Sequence, residues 1–480
     1  MQQWEPILDT PASDLRPCPV VSPHTNETID EVAYPPVAAA ERALDAAARD
    51  TSWASLAGPE RAAQLFEWAA LVDAKREEIA FLIAEDSGKP IRQARGEAER
   101  TGAVLRYYAG LADKPVGEAT PQVFSGLNVV LREPIGTVVV IVPWNGPAYI
   151  TAHKSAGALA GGNNVIVKPS PLAPRASLKV CELAHEAGLG GTALQCIPGG
   201  ADIGEALVSS EKAQGVSFTG STETGRAVAV AAARTFKRVV LEMGGKSPSL
   251  VFADSDLGTA ADSTVVAALA NAGQDCCARS RVLVEDSVHD AFVRLLEASV
   301  ARVVVGDPLS ETTDIGPLIT SQHRQYVESF ITEEACGNGA HIAGGKRPSG
   351  AHLASGNYLE PAIISGASLE SKTLSTEIFG PIVTVVPFSD DTHALTLANA
   401  TRYGLAASVW TSDVERILSV IPRLTCGQVS VNGDSSVFMQ LPFGGEKESG
   451  LGRELGIRGM TNFQREKTVS IALRRRESSA

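Results

Sequence analysis

The chain has 480 residues, of which 44% are hydrophobic and 20% are charged. This length is typical of two or three domains, and this composition is typical of a globular protein with a large core. The formal net charge is -13 and no concentrated basic patch is visible, which argues against a nucleic-acid partner. The basic run Arg474–Arg476 is interpreted as a solvated tail.

No targeting or membrane segment is expected. The first twenty residues lack a basic stretch followed by an apolar run, so a secretory signal is not predicted. The densest apolar stretch, residues 137–142, ends at Pro143 and is far too short to cross a bilayer. The seven cysteines are an odd, scattered set, which is typical of reduced thiols. These observations predict a cytoplasmic protein without a membrane partner, and no metal site is predicted.

The first quarter of the chain is predicted to be irregular and then helical. Residues 1–35 are rich in proline and are predicted to form an irregular surface segment. Apolar residues recur at helical spacing over Ala38–Asp50 and Pro59–Asp86, and Gly88 to Pro90 ends the second helix. Residues 36–111 are therefore expected to be helical.

Short apolar strands alternate with helices from residue 136 onward. This alternation requires right-handed crossovers and gives a parallel sheet covered on both faces. The sequence therefore predicts an α/β fold with a Rossmann-like nucleotide-binding architecture. The predicted strands are Thr137–Val142, Val165–Val167, Ala193–Ile197, Gly215–Phe218 and Arg238–Leu241, and the predicted helices are Ala148–Ala160, Arg175–Ala187, Ile203–Val208 and Thr222–Ala233.

A second α/β run extends from about Ser247 to about Gly445, with a long helix from Ala260 to Gly273 and a strand at Arg281–Val284. Two further segments read as strands: a hairpin within Pro121–Arg132 and a C-terminal strand at Lys467–Ala472. Neither the hairpin nor the C-terminal strand has an obvious partner in the sequence. Both segments are therefore interpreted as candidates for pairing between subunits.

A possible nucleophile lies in the polar stretch Gly273–Arg279, which contains Cys276 and Cys277. A thiol in a glycine-containing turn has the access and the polar surroundings that thiolate reactivity needs. By itself this stretch is more typical of buried cysteines used for packing.

Two further side chains follow predicted strands. A carboxylate directly after a buried strand, as at Glu242, can act as a general base whose pKa is raised by partial desolvation. The more common role of such a glutamate is an ion pair with a neighbouring cation. Asn145, in Pro143-Trp144-Asn145, follows the first strand, where ligands of open α/β sheets bind, and its amide can donate to an oxyanion. In isolation such a loop is more often only a turn.

The stretch from Phe218 to Gly225 runs from a strand through a glycine turn into a helix. The free N–H groups and the dipole of such a helix favour an anion such as a pyrophosphate. The stretch is not the GxGxxG fingerprint, and a lone glycine turn is unspecific. Lys168, in Lys168-Pro169-Ser170, places a cation at the same edge of the sheet, although a surface lysine is the more common explanation.

Together these pieces closely resemble the aldehyde dehydrogenase superfamily over residues 20 to 470. The matching blocks occur in the family's order. They are Pro143-Trp144-Asn145, Lys168-Pro169-Ser170, Phe218 to Ser221, Glu242 to Lys246, Gly273 to Cys276, Glu377 to Pro381, and Pro442 to Gly445 with Ser449 to Glu454.

The resemblance implies a covalent mechanism. Cys276 would attack the aldehyde, and the amide of Asn145 with the backbone N–H of Cys276 would hold the oxyanion. After hydride transfer, Glu242 would activate the water that hydrolyses the thioester. Lys154 and Glu454 match positions of a proton route connected to this base. The spacing of the family motif selects Cys276 as the nucleophile and leaves the neighbouring cysteine as packing or pocket wall.

The resemblance also implies NAD as the cofactor, with NADP possible. It assigns Ser221 to the pyrophosphate, Lys168 to the adenosine ribose, Glu377 to the nicotinamide ribose and Phe379 to the nicotinamide itself. The remaining predicted cofactor residues are Trp144, Ser170, Gly220 and Gly244. One departure concerns Pro171, which stands where many NAD-preferring members carry a glutamate that binds the ribose 2′-hydroxyl. Without that carboxylate a 2′-phosphate is repelled less.

The resemblance leaves the substrate and two rival functions open. A substrate tunnel is expected from residues 146–153, from Asp275 and Cys277, and from residues 437–443. It shows no cluster of Arg or Lys, so an uncharged aliphatic or aromatic aldehyde is favoured. One rival is a coenzyme A-acylating dehydrogenase, a subfamily that generally lacks the base that Glu242 provides. The other is a non-catalytic binding member.

The resemblance finally implies a three-part organisation and a homodimer or homotetramer. Residues 1–111 and 136–244 would form the NAD(P)-binding domain, and residues 245–445 the catalytic domain. Residues 112–135 and 463–480 would form a small β element for oligomerisation.

Overall fold

The computed structural model describes residues 12–114, 117–119, 126–336, 340–350, 353–434 and 437–472. No helix in these ranges is both long and apolar enough to cross a bilayer. All seven cysteines are free thiols, as the sequence predicts. The basic tail Arg474–Arg476 and residues 121–125 of the predicted hairpin lie outside the described residues.

The strands of the described residues are numbered in chain order. They are β1 Arg16–Val21, β2 Thr28–Tyr34, β3 Glu118–Ala119, β4 Gly126–Pro134, β5 Thr137–Ile141, β6 Asn164–Lys168, β7 Leu194–Cys196, β8 Gly215–Thr219, β9 Arg238–Glu242, β10 Pro248–Val251, β11 Arg281–Glu285, β12 His341–Gly344, β13 Ala362–Ser365, β14 Ile382–Phe388, β15 Tyr403–Gly404, β16 Ala406–Trp410, β17 Gln428–Val431, β18 Glu446–Lys447, β19 Gly450–Leu451 and β20 Gln464–Ala472.

The α-helices of the described residues are numbered in the same way. They are α1 Val37–Arg49, α2 Ser52–Ser55, α3 Gly58–Ala74, α4 Arg76–Ser87, α5 Ile91–Ala109, α6 Pro147–Ala160, α7 Arg175–Glu186, α8 Ala201–Ser209, α9 Thr222–Ala233, α10 Leu257–Leu269, α11 His289–Val300, α12 Ser321–Cys336, α13 Lys372–Ser375, α14 Asp391–Asn399, α15 Val414–Val420 and α16 Arg458–Thr461.

Two predictions for the N-terminal part are wrong in detail. The segment predicted to be irregular contains β1 and β2, which pair antiparallel. Its prolines are accommodated because a two-stranded ribbon has free edges, where proline is tolerated. The single helix predicted over Pro59–Asp86 is two helices, α3 and α4. The backbone at Lys75 leaves the helical region (φ −105°, ψ 17°) and separates them.

A six-stranded sheet forms the centre of the first α/β unit, in the order β19-β9-β8-β5-β6-β7. All neighbouring strands are parallel except β19, which pairs antiparallel with β9. Successive valines of β5 belong to different cores: Val138 and Val140 pack in one apolar cluster and Val139 in another. The sheet is therefore covered on both faces, which confirms the expected α/β architecture with its Rossmann-like alternation.

The second α/β unit contains a seven-stranded sheet in the order β12-β13-β14-β11-β10-β16-β17. Its strands are parallel except β12, which pairs antiparallel with β13. Alternate residues of β11 again enter different clusters, with Val282 on one face and Leu283 on the other. Alternate apolar side chains of β5 and of β11 therefore pack on opposite faces, and each of the two sheets is covered on both faces.

A three-stranded antiparallel sheet, in the order β20-β4-β3, stands beside these two units. The sequence predicts strands in this region but gives neither segment a partner. In the structure β20 and β4 pair with each other within one chain over nine residue pairs, from Gln464↔Pro134 to Ala472↔Gly126. The two segments are far apart in sequence, so a local pattern cannot reveal their pairing.

Candidate active site

The candidate site lies where loops at the edges of the two large sheets meet. The loops that follow β5, β6, β8 and β9 leave the carboxyl edge of the six-stranded sheet, where ligands of open α/β sheets bind. The segments that carry Cys276 and Glu377 instead precede β11 and β14, so they approach from the amino edge of the seven-stranded sheet. Direct contacts join the two edges: Gly245 N–H donates to Glu377 Oε1 at 3.1 Å.

The segment that leads to Cys276 is not the continuous helix predicted over Ala260–Gly273. Helix α10 ends at Leu269, and Asn271, Ala272 and Gly273 all have positive φ angles. Gly273 is required because a Cβ atom there would lie 2.2 Å from the carbonyl oxygen of Gly380. This left-handed turn changes the direction of the chain after α10 and leads to Cys276 and Cys277.

The two adjacent cysteines differ in exposure. Cys276 is half-buried, and Cys277 is buried. Their sulfur atoms lie 3.9 Å apart, and the Asp275 carboxylate lies within 4.8 Å of both. The thiol contact with Cys277 and then burial raise the pKa of Cys276 well above its ordinary value. Cys276 is therefore held as a neutral thiol, which needs a base before it can act as a nucleophile.

Asn145 points its amide at the same turn. Its Nδ2 donates to the carbonyl of Gln274 at 3.1 Å. The Gln274 side chain is fixed in turn: its Nε2 donates to Asn271 O at 2.9 Å and its Oε1 accepts from Ile319 N–H at 2.9 Å. An amide nitrogen carries two hydrogens, so one remains to donate to an oxygen bound at Cys276.

Glu242 is the last residue of β9 rather than the first residue after it, and its side chain is 3% exposed. Neither carboxylate oxygen has a hydrogen-bond partner. Burial, followed by the nearby charge of Glu454, raises the pKa of Glu242 well above its ordinary value, although Lys154 and Arg453 oppose this shift. A buried, unpaired carboxyl group of this kind has the properties of a general base.

Lys154 and Glu454 form a buried ion pair although they come from distant parts of the chain. Ser217 bridges them, because its hydroxyl accepts from Lys154 Nζ at 2.9 Å and donates to Glu454 Oε1 at 3.0 Å. His153 Nε2 lies 3.7 Å from the other carboxylate oxygen of Glu454. Burial lowers the pKa of His153 to about 4, so its ring is neutral near neutral pH.

The glycine turn after β8 opens helix α9, as the sequence predicts. Ser221 is the N-cap residue, and its hydroxyl accepts from Thr224 N–H at 3.3 Å. The Ser221 side chain is therefore partly used by its own helix. Gly225 leaves room for Met243, whose sulfur would lie 2.2 Å from a Cβ atom at that position. In the first turn of this twelve-residue helix Glu223 and Thr224 are exposed, and the N–H groups of this turn suit an anion.

Lys168 ends β6 at the same sheet edge and is buried. Burial lowers its pKa to about 8, although Asp202 opposes this shift. Its Nζ donates to Pro169 O at 3.2 Å. The loop then continues through Ser170, whose hydroxyl accepts from Leu172 N–H at 3.3 Å, and through the exposed Pro171.

Glu377 fills the space beside Gly244, where a Cβ atom would lie 1.7 Å from a Glu377 carboxylate oxygen. Burial raises the pKa of Glu377 to about 7. Phe379 has a positive φ of 57°, and its ring packs edge-on against Trp144 with the ring centroids 5.5 Å apart. The backbone carbonyl of Phe379 contacts His323 Nε2 at 2.8 Å, which helps to hold this conformation.

The site can be compared with proteins of known family. The model of the aldehyde dehydrogenase family matches residues 10–469. The chain belongs to the aldehyde dehydrogenase family. This confirms the family and fold expected from the motif blocks, and with them the class of enzyme, an NAD(P)-dependent aldehyde dehydrogenase.

Individual aldehyde dehydrogenases match over almost their full length. The chain is 38% identical to betaine aldehyde dehydrogenase of Bacillus subtilis, over 94% of this chain and 93% of the relative. It is 36% identical to a non-phosphorylating aspartate-semialdehyde dehydrogenase of Halomonas elongata, over 92% and 90%. Among solved structures, an NAD-dependent aldehyde dehydrogenase from Sinorhizobium meliloti matches with a TM-score of 0.95 and 35% identity, covering 100% of this chain and 96% of that one.

Four charged or polar residues near the aldehyde dehydrogenase site were missed in the sequence. Lys89 and Glu97 form a buried ion pair beside Asn145, and Lys246 is buried with no hydrogen-bond partner for its Nζ. The guanidinium carbon of Arg100 lies 5.9 Å from the ring centroid of Tyr149 in the expected substrate tunnel. Only Lys246 lies within a motif block. Glu97 and Arg100 lie in helical sequence that is typical of an ordinary charged surface, and Lys89 lies in the short turn that ends the preceding helix.

Proposed function

We propose that the protein oxidises an aldehyde to its carboxylic acid through a covalent intermediate on Cys276. The supporting observation is that the segment carrying the nucleophile packs against the segment that follows the base: the Cys276 backbone carbonyl would lie 2.7 Å from a Cβ atom on Gly245, three residues after Glu242. The Cys276 sulfur attacks the aldehyde carbon and forms a thiohemiacetal. Its proton passes to a base, and Glu242 is the buried carboxylate suited to accept it.

The oxyanion of this intermediate is held by the free N–H of the Asn145 amide and by the backbone N–H of Cys276. The bond from Asn145 Nδ2 to Gln274 O supports this role, because it orients the amide before the substrate arrives. Loss of hydride from the thiohemiacetal leaves a thioester on Cys276.

Once Glu242 has released the thiol proton, it removes a proton from the water that attacks the thioester; the C–S bond breaks, the acid leaves and the Cys276 thiolate is restored. The unpaired carboxylate of Glu242 favours this hydrolytic route over transfer of the acyl group to coenzyme A. Lys154, Ser217 and Glu454 form a buried hydrogen-bonded chain near this base, which we propose as the route by which the proton leaves. A non-catalytic role is disfavoured because nucleophile, base and oxyanion donor are all present.

NAD, when bound, supplies the acceptor for the hydride. The exposed first turn of α9, with Gly220 and Ser221, suits a pyrophosphate. Lys168 and Ser170 lie along the expected path of the adenosine ribose, and Glu377 beside Gly244 suits the nicotinamide ribose. Trp144 and Phe379 form an aromatic wall where the nicotinamide packs.

We propose NAD rather than NADP, while the absence of a carboxylate at Pro171 permits some use of NADP. Solved structures of betaine aldehyde dehydrogenase from Staphylococcus aureus, 32% identical to this chain, are complexes with NAD+. Lys168, whose pKa is about 8, is mostly protonated near neutral pH, and its positive charge tolerates a ribose phosphate.

We infer that the substrate is an uncharged aliphatic or aromatic aldehyde. Tyr149 and Ile150 on α6 are half-buried, and Phe438 on the opposite loop is exposed, so the expected tunnel has apolar walls. Arg100 packs against the ring of Tyr149, with its guanidinium carbon 5.9 Å from the ring centroid. Relatives of this chain are named as dehydrogenases of betaine aldehyde, of aspartate semialdehyde and, in Arabidopsis thaliana, of succinate semialdehyde, so these three aldehydes belong in the substrate panel.

We further propose a homodimer or homotetramer in the cytoplasm, assembled through the three-stranded sheet. Leu127 and Ile471 are direct partners across β4 and β20 and are 50% and 49% exposed. A second copy would cover this apolar pair, since exposed apolar patches of this kind commonly mark interfaces. Under this proposal, residues 112–135 and 463–480 form the assembly element beside NAD(P)-binding (1–111, 136–244) and catalytic (245–445) domains. Light scattering of Leu127→Asp/Ile471→Asp against wild type should give a smaller particle.

The experiment that tests the reaction is absorbance of reduced nicotinamide with the aldehyde panel, with and without coenzyme A. Wild type should turn over without coenzyme A, and Cys276→Ala should be inactive while Cys277→Ala keeps its rate within about fivefold. Turnover only when coenzyme A is present would replace hydrolysis by acyl transfer. If Cys277→Ala lost activity and Cys276→Ala kept it, the nucleophile would be Cys277 and the assignment to Cys276 would be wrong.

A further inference from the structure

Helix α6 begins directly after Asn145, and its first turn cannot cap itself. The N-cap residue is Gly146, which has no side chain, and Pro147 has no N–H. The next two N–H groups belong to the buried Ala148 and the half-buried Tyr149, and neither has an acceptor within its own helix. The cap comes from another helix: Glu97 Oε1 accepts from Ala148 N–H at 3.0 Å and from Tyr149 N–H at 3.2 Å.

The second oxygen of Glu97 pairs with Lys89, and both side chains are nearly fully buried. Lys89 Nζ also donates to the backbone carbonyl of Asn145 at 2.7 Å. A buried ion pair thus touches both sides of the bend between Asn145 and α6. Two charges in a dry interior persist only if hydrogen bonds satisfy their remaining donors and acceptors, and these contacts do so.

The loop that carries Lys89 is itself fixed against the second α/β unit. A Cβ atom on Gly316 would lie 1.9 Å from the carbonyl oxygen of Gly88, so the two loops are in direct contact. Three residues after Gly316, the N–H of Ile319 donates to the side-chain oxygen of Gln274. The backbone carbonyl of Gln274 in turn accepts from the Asn145 amide. The contacts therefore close a ring that holds the Asn145 backbone on one side and its side chain on the other.

From this ring we propose that Lys89, paired with Glu97, is a positioning residue that sets the orientation of the oxyanion-binding amide of Asn145. The proposal rests on the proposed function of Asn145. It predicts that loss of the Lys89 hydrogen bond lowers turnover through Asn145 and through no other group. Lys89 does not itself contact the reacting atoms.

The test is a double-mutant cycle on kcat with a good aldehyde substrate. The variant Lys89→Met/Glu97→Gln removes both charges together, which avoids leaving one buried charge unpaired. The glutamine oxygen can still accept from Ala148 and Tyr149, so the cap of α6 is kept. We expect kcat to fall about tenfold, with the KM for NAD within about twofold of wild type, because small misplacement of a catalytic group is costly.

Asn145→Ala should lower kcat by about a hundredfold or more. In that background the Lys89/Glu97 change should have almost no further effect, since residues acting as one unit are not additive. A further tenfold loss there would overturn the proposal, as would a wild-type kcat in the Lys89/Glu97 variant. An unchanged kcat in Asn145→Ala would instead overturn the proposed role of Asn145.

The matched control is Asp86→Asn. Asp86 is fully buried and paired with Arg175 in the same part of the fold. Neither residue takes part in the ring of contacts around Asn145. This variant should lower the melting temperature and leave kcat within about twofold. A tenfold lower kcat in Asp86→Asn would mean that general destabilisation explains the Lys89 result, and this too would overturn the proposal.

Discussion

The sulfur atoms of Cys276 and Cys277 lie 3.9 Å apart, close enough for one thiol to donate to the other. This contact favours the neutral thiol of Cys276 and is the largest cause of its raised pKa. The family motif chooses between the two residues by position alone. The structure adds a physical consequence, because the second cysteine influences how readily the first one ionises.

Cys277→Ala is therefore expected to lower the pKa of Cys276, since it removes the group that stabilises the neutral thiol. More thiolate at a given pH means faster alkylation by iodoacetamide. Peptide mass spectrometry can follow Cys276 separately from the exposed Cys336 as a function of pH. The Cys276 profile should shift to lower pH in the variant, whereas the extent of Cys336 alkylation should be the same in the two proteins. A profile that does not move would mean that the thiol contact has no influence in solution.

Glu242 gives a second prediction, on the pH dependence of turnover. Only the ionised carboxylate can accept a proton, and burial raises the pKa of this group. The hydrolytic step should therefore slow as the pH falls through that raised pKa and reach its plateau above it. Stopped-flow absorbance of Glu242→Gln should show at most one equivalent of reduced nicotinamide per site, followed by slow turnover.

Glu242→Asp is the informative comparison, since it keeps a carboxylate but shortens its reach. It should retain an acidic limb in the pH profile at a lower plateau, whereas the glutamine variant should lose this limb. If the glutamine variant turned over at the wild-type rate, another group would have to be the base.

The sequence could predict a feature of the fold or of the site only where neighbouring residues in the chain form a recognisable pattern. Alternation of short strands and helices reveals β5 to β9, and the motif blocks select Cys276, Glu242 and Asn145 as the proposed catalytic residues. Pairings between segments far apart in the chain leave no such pattern. The contacts of Lys89 with Asn145 and the pairing of β4 with β20 arise only when the chain is folded.

The prediction for Ser221 shows a different limit. A serine at the start of a helix reads equally well as a ligand to an anion and as an N-cap. In the structure its hydroxyl caps Thr224, so its side chain serves the helix, while the N–H groups of the turn still suit a pyrophosphate. Motif resemblance identified the residue, but only the local hydrogen bonds show what its side chain does.

Cofactor choice can be tested at Pro171. This exposed residue follows Lys168 and Ser170 on the loop after β6, and Pro171→Glu would place a carboxylate there. Repulsion of a 2′-phosphate should lower kcat/KM for NADP by about tenfold, while kcat/KM for NAD stays equal or rises. Pro171→Gln is the matched control, because it has the same size without the charge. Equal losses in both variants would indicate a change in loop shape rather than an effect of charge.

His153 predicts how the stability of the protein depends on pH. Burial lowers its pKa from 6.5 to about 4, so between these values the unfolded chain binds a proton that the folded protein does not. Unfolding is then favoured as the pH falls through this window, and the loss approaches 3 kcal/mol, as an order of magnitude, near its lower end. Above pH 6.5 the ring is neutral in both states and has no such effect.

His153→Gln removes this ionisation and keeps a polar group near Glu454. Its melting temperature should therefore fall less than that of wild type between about pH 7.5 and about pH 5. His341→Gln is the control, since His341 is an exposed residue paired with Glu297, and its melting curves should follow wild type. If His153→Gln and wild type lost equal stability over this range, the neutral buried ring would not be the source of the acid sensitivity.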